Sequence, residues 1–349
     1  MDIHDYAENR KLSHKQVMDF TTCVNPLGPS SKAKNMLRKN IKNLDLFADK
    51  KLRHLARFIV RNEKIHEDNI VFGQGSTDLL YAIFQAVKTK KVLIPSPVSQ
   101  KFEEVISYSK VVLKRLPLEE KNHFSMNLEK ILRAMKKVDT VIMPYPHDMA
   151  GTALAMDDLH VLIGEADKLG KTLILDESYR DFTALGSPVK EVIKSEKTII
   201  VRTFSLFYAL AGLPIGYAIG PAKTIENIQN CLFPGEMNAL AMYAAIASLK
   251  DNLYKTRTTR FIDEEKGYFL KAFASIENLL YFDTPCPFFV LKIEKESKRL
   301  KDIFYRYRIL IDDFFDEQGG YYLKVPIKKH KWNARFLKTL RNALEVNKP

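Results

Sequence analysis

Seven short apolar runs, most of them separated by helix-length amphipathic segments, constrain this chain more than any other feature. They are 69–72, 91–94, 111–116, 138–143, 172–176, 198–201 and 215–219. Runs that stay apolar instead of alternating with polar residues suit strands covered on both faces, and helices between them suit parallel crossovers. The pattern predicts an α/β chain with a mostly parallel sheet flanked by helices. Helical patterns are expected over much of 31–65 and at 79–87, 99–108, 127–136 and 155–169. A long helical stretch, 236–278, is expected to be interrupted near Tyr254 and Thr256 to Thr259. Beyond residue 280 the strand-like pieces Phe288–Lys292 and Tyr322–Val325 and a last helix at 332–345 make a smaller α+β unit. The expected division is an N-terminal segment, 1–30, packing with the small domain; a large domain, 31–250; and a small C-terminal domain, 251–349.

The charge balance narrows the partners. Lys and Arg number 55 against 42 Asp and Glu, a formal charge of +13 in 349 residues. Such a balance draws a chain toward anions. The excess lysine is spread along the sequence, densest at Lys88–Lys91 and Lys328–Lys331, and no zinc-finger, helix-turn-helix or RNA-binding aromatic pattern accompanies it. The basic excess therefore reads as a solvated face rather than a nucleic-acid footprint. Three widely spaced cysteines, Cys23, Cys231 and Cys286, make no disulfide framework or zinc motif. The polar start of the chain and the lack of a long apolar run give the expectation of a cytoplasmic protein with no membrane span. No metal site is expected, because His4, His14 and His54 share no spacing with acidic ligands.

Polar residues gather just after the apolar runs, where open α/β sheets bind ligands. Gly73-Gln-Gly-Ser-Thr-Asp78 lies between a strand and a helix. Its amides, with Ser76 and Thr77, can hold a phosphate at a helix start. They can equally serve as a simple helix cap. Asp176 ends an apolar strand and is followed by Glu177-Ser-Tyr179. A carboxylate there needs a partner; it either meets a ligand or caps the following turn. His147 and Asp148 could form an acid–base couple or an ordinary polar loop.

These segments, in order, resemble the aspartate aminotransferase superfamily (class I and II aminotransferases), whose enzymes use pyridoxal phosphate (PLP) on fold type I. The nearest branch looks like histidinol-phosphate aminotransferases and threonine-phosphate decarboxylases. The resemblance is carried by Asn25-Pro-Leu-Gly28, Gly73–Asp78, Ile174-Leu-Asp-Glu-Ser-Tyr-Arg-Asp-Phe182, Val201–Tyr217, Asn238–Ala245 and Tyr322–Lys328. It implies that Gly75, Ser76 and Thr77 lie around the PLP phosphate, that Thr203 and Ser205 are cofactor-binding, and that Asp176 lies at the pyridine nitrogen and Tyr179 at the ring oxygen. Asn25 and Lys324 fall on the substrate side. Met237 fits the valine of the family's W-x-V-N stretch, while Gly235 stands for its tryptophan. The resemblance also implies a homodimer, with a heterodimer with an active relative as the variant.

The departures concentrate at the chemistry. Leu206 stands where the family has its Schiff-base lysine, and Pro214 where an arginine grips the phosphate. Asp148 replaces an asparagine that touches the ring oxygen, and Ser99 replaces the aromatic that stacks on the ring, with Phe102 near enough to reach in if the loop is shifted. Lys324 stands for the arginine that clamps the substrate carboxylate; it keeps the charge and loses the fork. Lys101 and Lys324 are the lysines that could substitute for the missing one; Lys171 precedes its strand and lies at the wrong sheet end. The expectation is an aminotransferase-like protein with a degenerate PLP site and no catalytic residue. PLP binding would be weak or lost, and the site would be kept for a small phosphorylated or carboxylated ligand or for a partner protein. A third version has the old pocket filled by Leu206, Met149 and Phe207. The alternative is a working PLP-dependent aminotransferase or decarboxylase of a phosphorylated amino acid or amino alcohol.

Overall fold

The computed structural model describes residues 3–45, 49, 52–233, 237–294 and 297–345. The Gly235 position lies outside the described residues. Twelve strands occur among them: β1 (Met18–Phe20), β2 (Ile70–Gly73), β3 (Lys91–Ser96), β4 (Val112–Pro117), β5 (Thr140–Pro144), β6 (Thr172–Asp176), β7 (Thr198–Thr203), β8 (Gly216–Ile219), β9 (Tyr281–Asp283), β10 (Phe288–Ile293), β11 (Ile309–Phe315) and β12 (Tyr321–Pro326). The chain divides into two compact units, residues 28–255 and residues 1–27 with 256–349.

The larger unit holds a seven-stranded sheet in the order β2-β8-β7-β6-β5-β3-β4. Its pairs from β7 through β6, β5 and β3 to β4 are parallel, whereas β8 runs antiparallel to both β7 and β2. Successive side chains of a strand point to opposite faces, and both faces here are covered. Leu173 and Leu175 join one apolar cluster with Val141, Met143 and Ile200, packed by the helices Leu128–Met135 and Met156–Lys168. Ile174 joins the other cluster with Ile142, Ile199 and Val201, packed by the helices Ser76–Ala86 and Gln100–Tyr108. Two-sided burial is why these strands read as continuous apolar runs. The same parity assigns the polar residues that follow. Asp176 falls on the face of Ile174, and Arg202 on the face of Ile200.

The parallel strands all finish at one edge, so Ser96, Pro144, Asp176 and Thr203 end there together. Antiparallel β8 begins at that edge, and its Gly216 pairs with Thr203 on one side and Gly73 on the other. A Cβ on Gly216 would come within 2.6 Å of the Arg202 carbonyl oxygen and 3.2 Å of the Gly75 Cα. Only glycine fits that crossing of three backbones.

The smaller unit is a five-stranded sheet in the order β1-β11-β12-β10-β9, antiparallel except for the β1–β11 pair. Its core includes Phe20, Phe269, Phe289, Phe304, Leu323 and Phe336. Two details differ from the sequence reading. The helical stretch after residue 238 is broken at Lys250–Asp251, between the helices Ala239–Leu249 and Asn252–Phe273, and not at Tyr254 or Thr256–Thr259. Tyr254 lies inside the second helix, its hydroxyl donating to the Gly28 and Phe207 carbonyls. Strands β9 and β11 and the helix Ser297–Arg306 were not separated by the sequence pattern. No helix among the described residues is long and apolar enough to cross a membrane.

Gly216→Ala is expected to destabilise the large unit by about 1–3 kcal/mol, the usual cost of forcing atoms into a packed site. A lowered urea midpoint checks it; an unchanged midpoint would mean that β7 and β8 are not packed this closely.

Candidate functional site

The strand-end edge of the large unit carries two separate polar clusters, one on each face of the sheet. On the face of Ile200, Arg202 is the centre. Its Nε donates to Glu177 Oε2 at 2.7 Å, Nη1 to Glu63 Oε1 at 2.6 Å and to the Tyr217 hydroxyl at 3.2 Å, and Nη2 to Ser187 Oγ at 2.9 Å. Ser187 Oγ in turn donates to Glu177 Oε1 at 2.5 Å. Burial alone would lower the Arg202 pKa, but Tyr217, Glu177 and Glu63 outweigh it and the pKa is raised. Burial raises the pKa of Tyr217, so the ring stays neutral beside these carboxylates. This network ties the turn after β6 to β7 and to the helix Arg53–Glu63.

On the other face, Asp176 is the centre. Its Oδ1 accepts the Ser178 amide at 2.9 Å and its Oδ2 accepts Lys101 Nζ at 2.5 Å. Lys101 lies in the first turn of the helix Gln100–Tyr108, which packs on this face. Phe102 does not reach toward a ligand. It is fully buried in the core, and its ring carries the Lys101 ammonium 4.4 Å from its centroid. The sequence reading of a shifted loop is corrected here, because an apolar ring gains more from the core than from a polar edge. Ser99 is the N-cap residue of that helix, yet its hydroxyl makes no cap bond, and its buried Oγ has no hydrogen-bond partner among the described residues. The same holds for Ser178 Oγ and Asp148 Oδ1, with both residues 6% exposed.

His147 and Asp148 do not form an acid–base couple. His147 is fully buried, its Nδ1 accepting the amides of Met149 (3.2 Å) and Ala150 (3.0 Å). An accepting Nδ1 leaves the proton on Nε2, which donates to the Pro95 carbonyl at 3.1 Å. The ring therefore holds the loops after β5 and β3 together, with no nitrogen left for proton transfer.

The glycine segment opens the helix Ser76–Ala86. Gly75, at its N-cap, takes a φ of +89°, and a Cβ there would lie 3.9 Å from the Pro214 Cβ. Gly75, Ser76 and Pro214 are thus brought together, with Thr77 exposed on the next position. Asp78 Oδ2 accepts the Gln74 amide at 2.8 Å. At the end of β7, Thr203 Oγ1 donates to Ser205 Oγ at 3.0 Å and accepts the Ser205 amide at 3.2 Å. Leu206 follows in a turn closed by the Ala209 amide on its carbonyl, and it is half-buried. Met149 and Phe207 are buried. Tyr179 is 6% exposed, with its ring 6.3 Å from that of Phe182.

Asn25 and Lys324 belong to the smaller unit. Asn25 Nδ2 donates to Thr258 Oγ1 at 2.9 Å, and its Oδ1 accepts the Leu27 amide. Lys324 is 5% exposed, 3.7 Å from Asp312 and above the Phe288 ring. Nearby, Lys328 donates to the Thr22 carbonyl at 2.6 Å, and burial lowers its pKa, with Asp19 and Cys23 opposing. The sequence reading did not single out Lys101 as the partner of Asp176, nor the Arg202 cluster. The alternation of faces along β6 and β7 was the signal that could have found both.

The chain matches the family model for aminotransferase class I and II over residues 12–314 and belongs to that family. It is 25% identical to a threonine-phosphate decarboxylase of Salmonella typhimurium, over 98% of this chain and 95% of that one. It is 24% identical to histidinol-phosphate aminotransferase 2 of Carboxydothermus hydrogenoformans, over 97% and 94% of the two chains. Among solved structures, the histidinol-phosphate aminotransferase of Clostridium acetobutylicum superposes with a TM-score of 0.85 at 25% identity, covering 93% of this chain and 98% of that one. The Sinorhizobium meliloti histidinol-phosphate aminotransferase in complex with pyridoxal-5'-phosphate gives a TM-score of 0.90 at 18% identity, covering 99% and 95%. The fold is that of PLP-dependent fold type I enzymes.

Two measurements test this site. Arg202→Met removes the cation between the buried Glu177 and the part-buried Glu63 and is expected to cost about 3–5 kcal/mol of stability; urea unfolding reads it, and a loss below about 1 kcal/mol would sink the network's role. Lys328 has a folded pKa below its unfolded value, so the unfolded chain binds more protons between the two. The stability of the wild type relative to Lys328→Met should therefore rise with pH, from the depressed folded pKa up to the ordinary lysine value of 10.5. A flat difference in chemical-denaturation midpoints across pH 7–10 would contradict the lowered pKa.

Proposed function

We propose that this chain is an aminotransferase-fold binding protein that has left lysine-based PLP catalysis and keeps its strand-end edge for a small anionic ligand or a partner protein. The observation that carries the reading is Leu206. The resemblance places it where the family has the Schiff-base lysine, and an aliphatic side chain can neither form that bond nor carry a proton.

The surrounding residues do not fit PLP either. Pro214, beside Gly75, offers no guanidinium to a phosphate. The Asp176 charge is already paired with Lys101, so a cationic ring there would meet a like charge. Asp148 would set a carboxylate against the negatively charged ring oxygen, and like charges repel. What remains is the start of the helix Ser76–Ala86, with Gly75, Ser76 and Thr77, and the hydroxyls of Thr203 and Ser205. Helix-start amides suit an anion such as a phosphate or carboxylate, and the +13 charge suits it too. The resemblance supports a homodimer, with a heterodimer with an active relative as its variant.

A working PLP-dependent aminotransferase or decarboxylase of a phosphorylated amino acid is the competing reading, favoured by the names of the relatives. It requires a second lysine. Lys101 is held on Asp176 and Lys324 lies beside Asp312.

The deciding experiment is an absorption spectrum of the purified protein with and without added PLP, followed by borohydride reduction and intact mass. No Schiff-base band and no mass increase are expected. A band together with a reduced adduct on one lysine would establish the competing reading.

A further inference from the structure

Asp176 is held on both sides by the chain itself. Its side chain is 2% exposed, Oδ1 is bonded to the Ser178 amide, and Oδ2 is ion-paired with Lys101. The Lys101 ammonium has a second anchor, the face of the buried Phe102 ring. A carboxylate and an aromatic face are the two groups that recognise a cationic ring such as a protonated pyridine. Here the carboxylate is taken by an ammonium that the core ring also holds. The placement follows from the fold. Asp176 continues the face of Ile174, and the helix Gln100–Tyr108 packs on that face with Lys101 in its first turn.

We infer that Lys101 is a specificity-determining residue, an internal counter-ion that occupies the cation subsite of Asp176 and excludes ligands carrying a protonated pyridine ring. The inference rests on the reading that this site has left PLP chemistry, and it adds the residue that keeps such ligands out. A tethered ammonium reaches Asp176 without losing the translational freedom that a ligand must give up. A pyridinium arriving at Asp176 must displace it or meet a like charge at close range in a buried setting. The Lys101 side chain is 25% exposed. Displacement toward solvent is therefore sterically open, and the exclusion acts through affinity.

The probe is 4'-deoxypyridoxine 5'-phosphate, which has the cationic ring and the phosphate but no aldehyde, so its binding does not depend on a lysine at position 206. It is titrated by calorimetry into wild type, Lys101→Met, Lys101→Arg and the double variant Lys101→Met/Asp176→Asn. Lys101→Met is expected to bind at least about tenfold more tightly than wild type, the change given by about 1.4 kcal/mol. Lys101→Arg and the double variant should stay at the wild-type level. Equal binding by wild type and a folded Lys101→Met overturns the inference.

Removing the lysine leaves Asp176 uncompensated, so a second measurement uses the wild type alone. Mild amine acetylation read by peptide mass spectrometry should label Lys101 several-fold more slowly than the exposed Lys88. Equal labelling of Lys101 and Lys88 overturns the inference. A borohydride-fixed PLP adduct in wild type would instead sink the proposed function, so the two failures are distinct.

Discussion

The strand-end loops of the large unit depend on one buried cation. Arg202 sits among Glu177, Glu63, Tyr217 and Ser187, and its guanidinium satisfies several acceptors in one plane. Charges in a protein interior are tolerated only when paired and hydrogen-bonded. The pairing therefore holds the turn after β6 against β7, and the backbone that carries Asp176, Ser178 and Tyr179 is set by a contact on the far face of the sheet. Glycines at 75 and 216 let the neighbouring backbones close to the same edge.

On the proposed reading, the scaffold of a family site persists while its chemistry changes. The Arg202 cluster and the apolar clusters on the two faces need no ligand. The resemblance implies that the residues that would touch a cofactor are the ones that differ, at Leu206, Pro214, Asp148 and Ser99. Asp176 lies between the two groups. Kept as a buried carboxylate, it still needs a cation, and Lys101 supplies one from within the chain. Among the described residues, Ser99 Oγ, Ser178 Oγ and Asp148 Oδ1 have no hydrogen-bond partner and mark polar groups without an internal use.

Much of the fold was legible in the sequence. Four parallel strands, β3, β5, β6 and β7, are covered on both faces and leave continuous apolar runs, and β6 was read at its observed limits, Thr172–Asp176. Strand β11 was harder, because Asp312 and Asp313 break its apolar run. The break at Lys250–Asp251 was missed because Tyr254 and the threonines after it are weak helix formers, yet the Tyr254 hydroxyl has carbonyl partners that hold it in the helix. Of the candidate site, the glycine segment and Asp176 were visible as polar residues after strands. His147 was visible but misleading, since both its nitrogens serve the backbone.

The sequence by itself determined the α/β class and the family resemblance, because those depend on local pattern and residue identity. Only the tertiary structure decided what Asp176 meets. Lys101 is 75 residues away along the chain, and no periodicity reports the partner of a single side chain. That pairing arises because parallel crossovers bring the start of one helix and the end of a strand to the same edge, on the same face of the sheet.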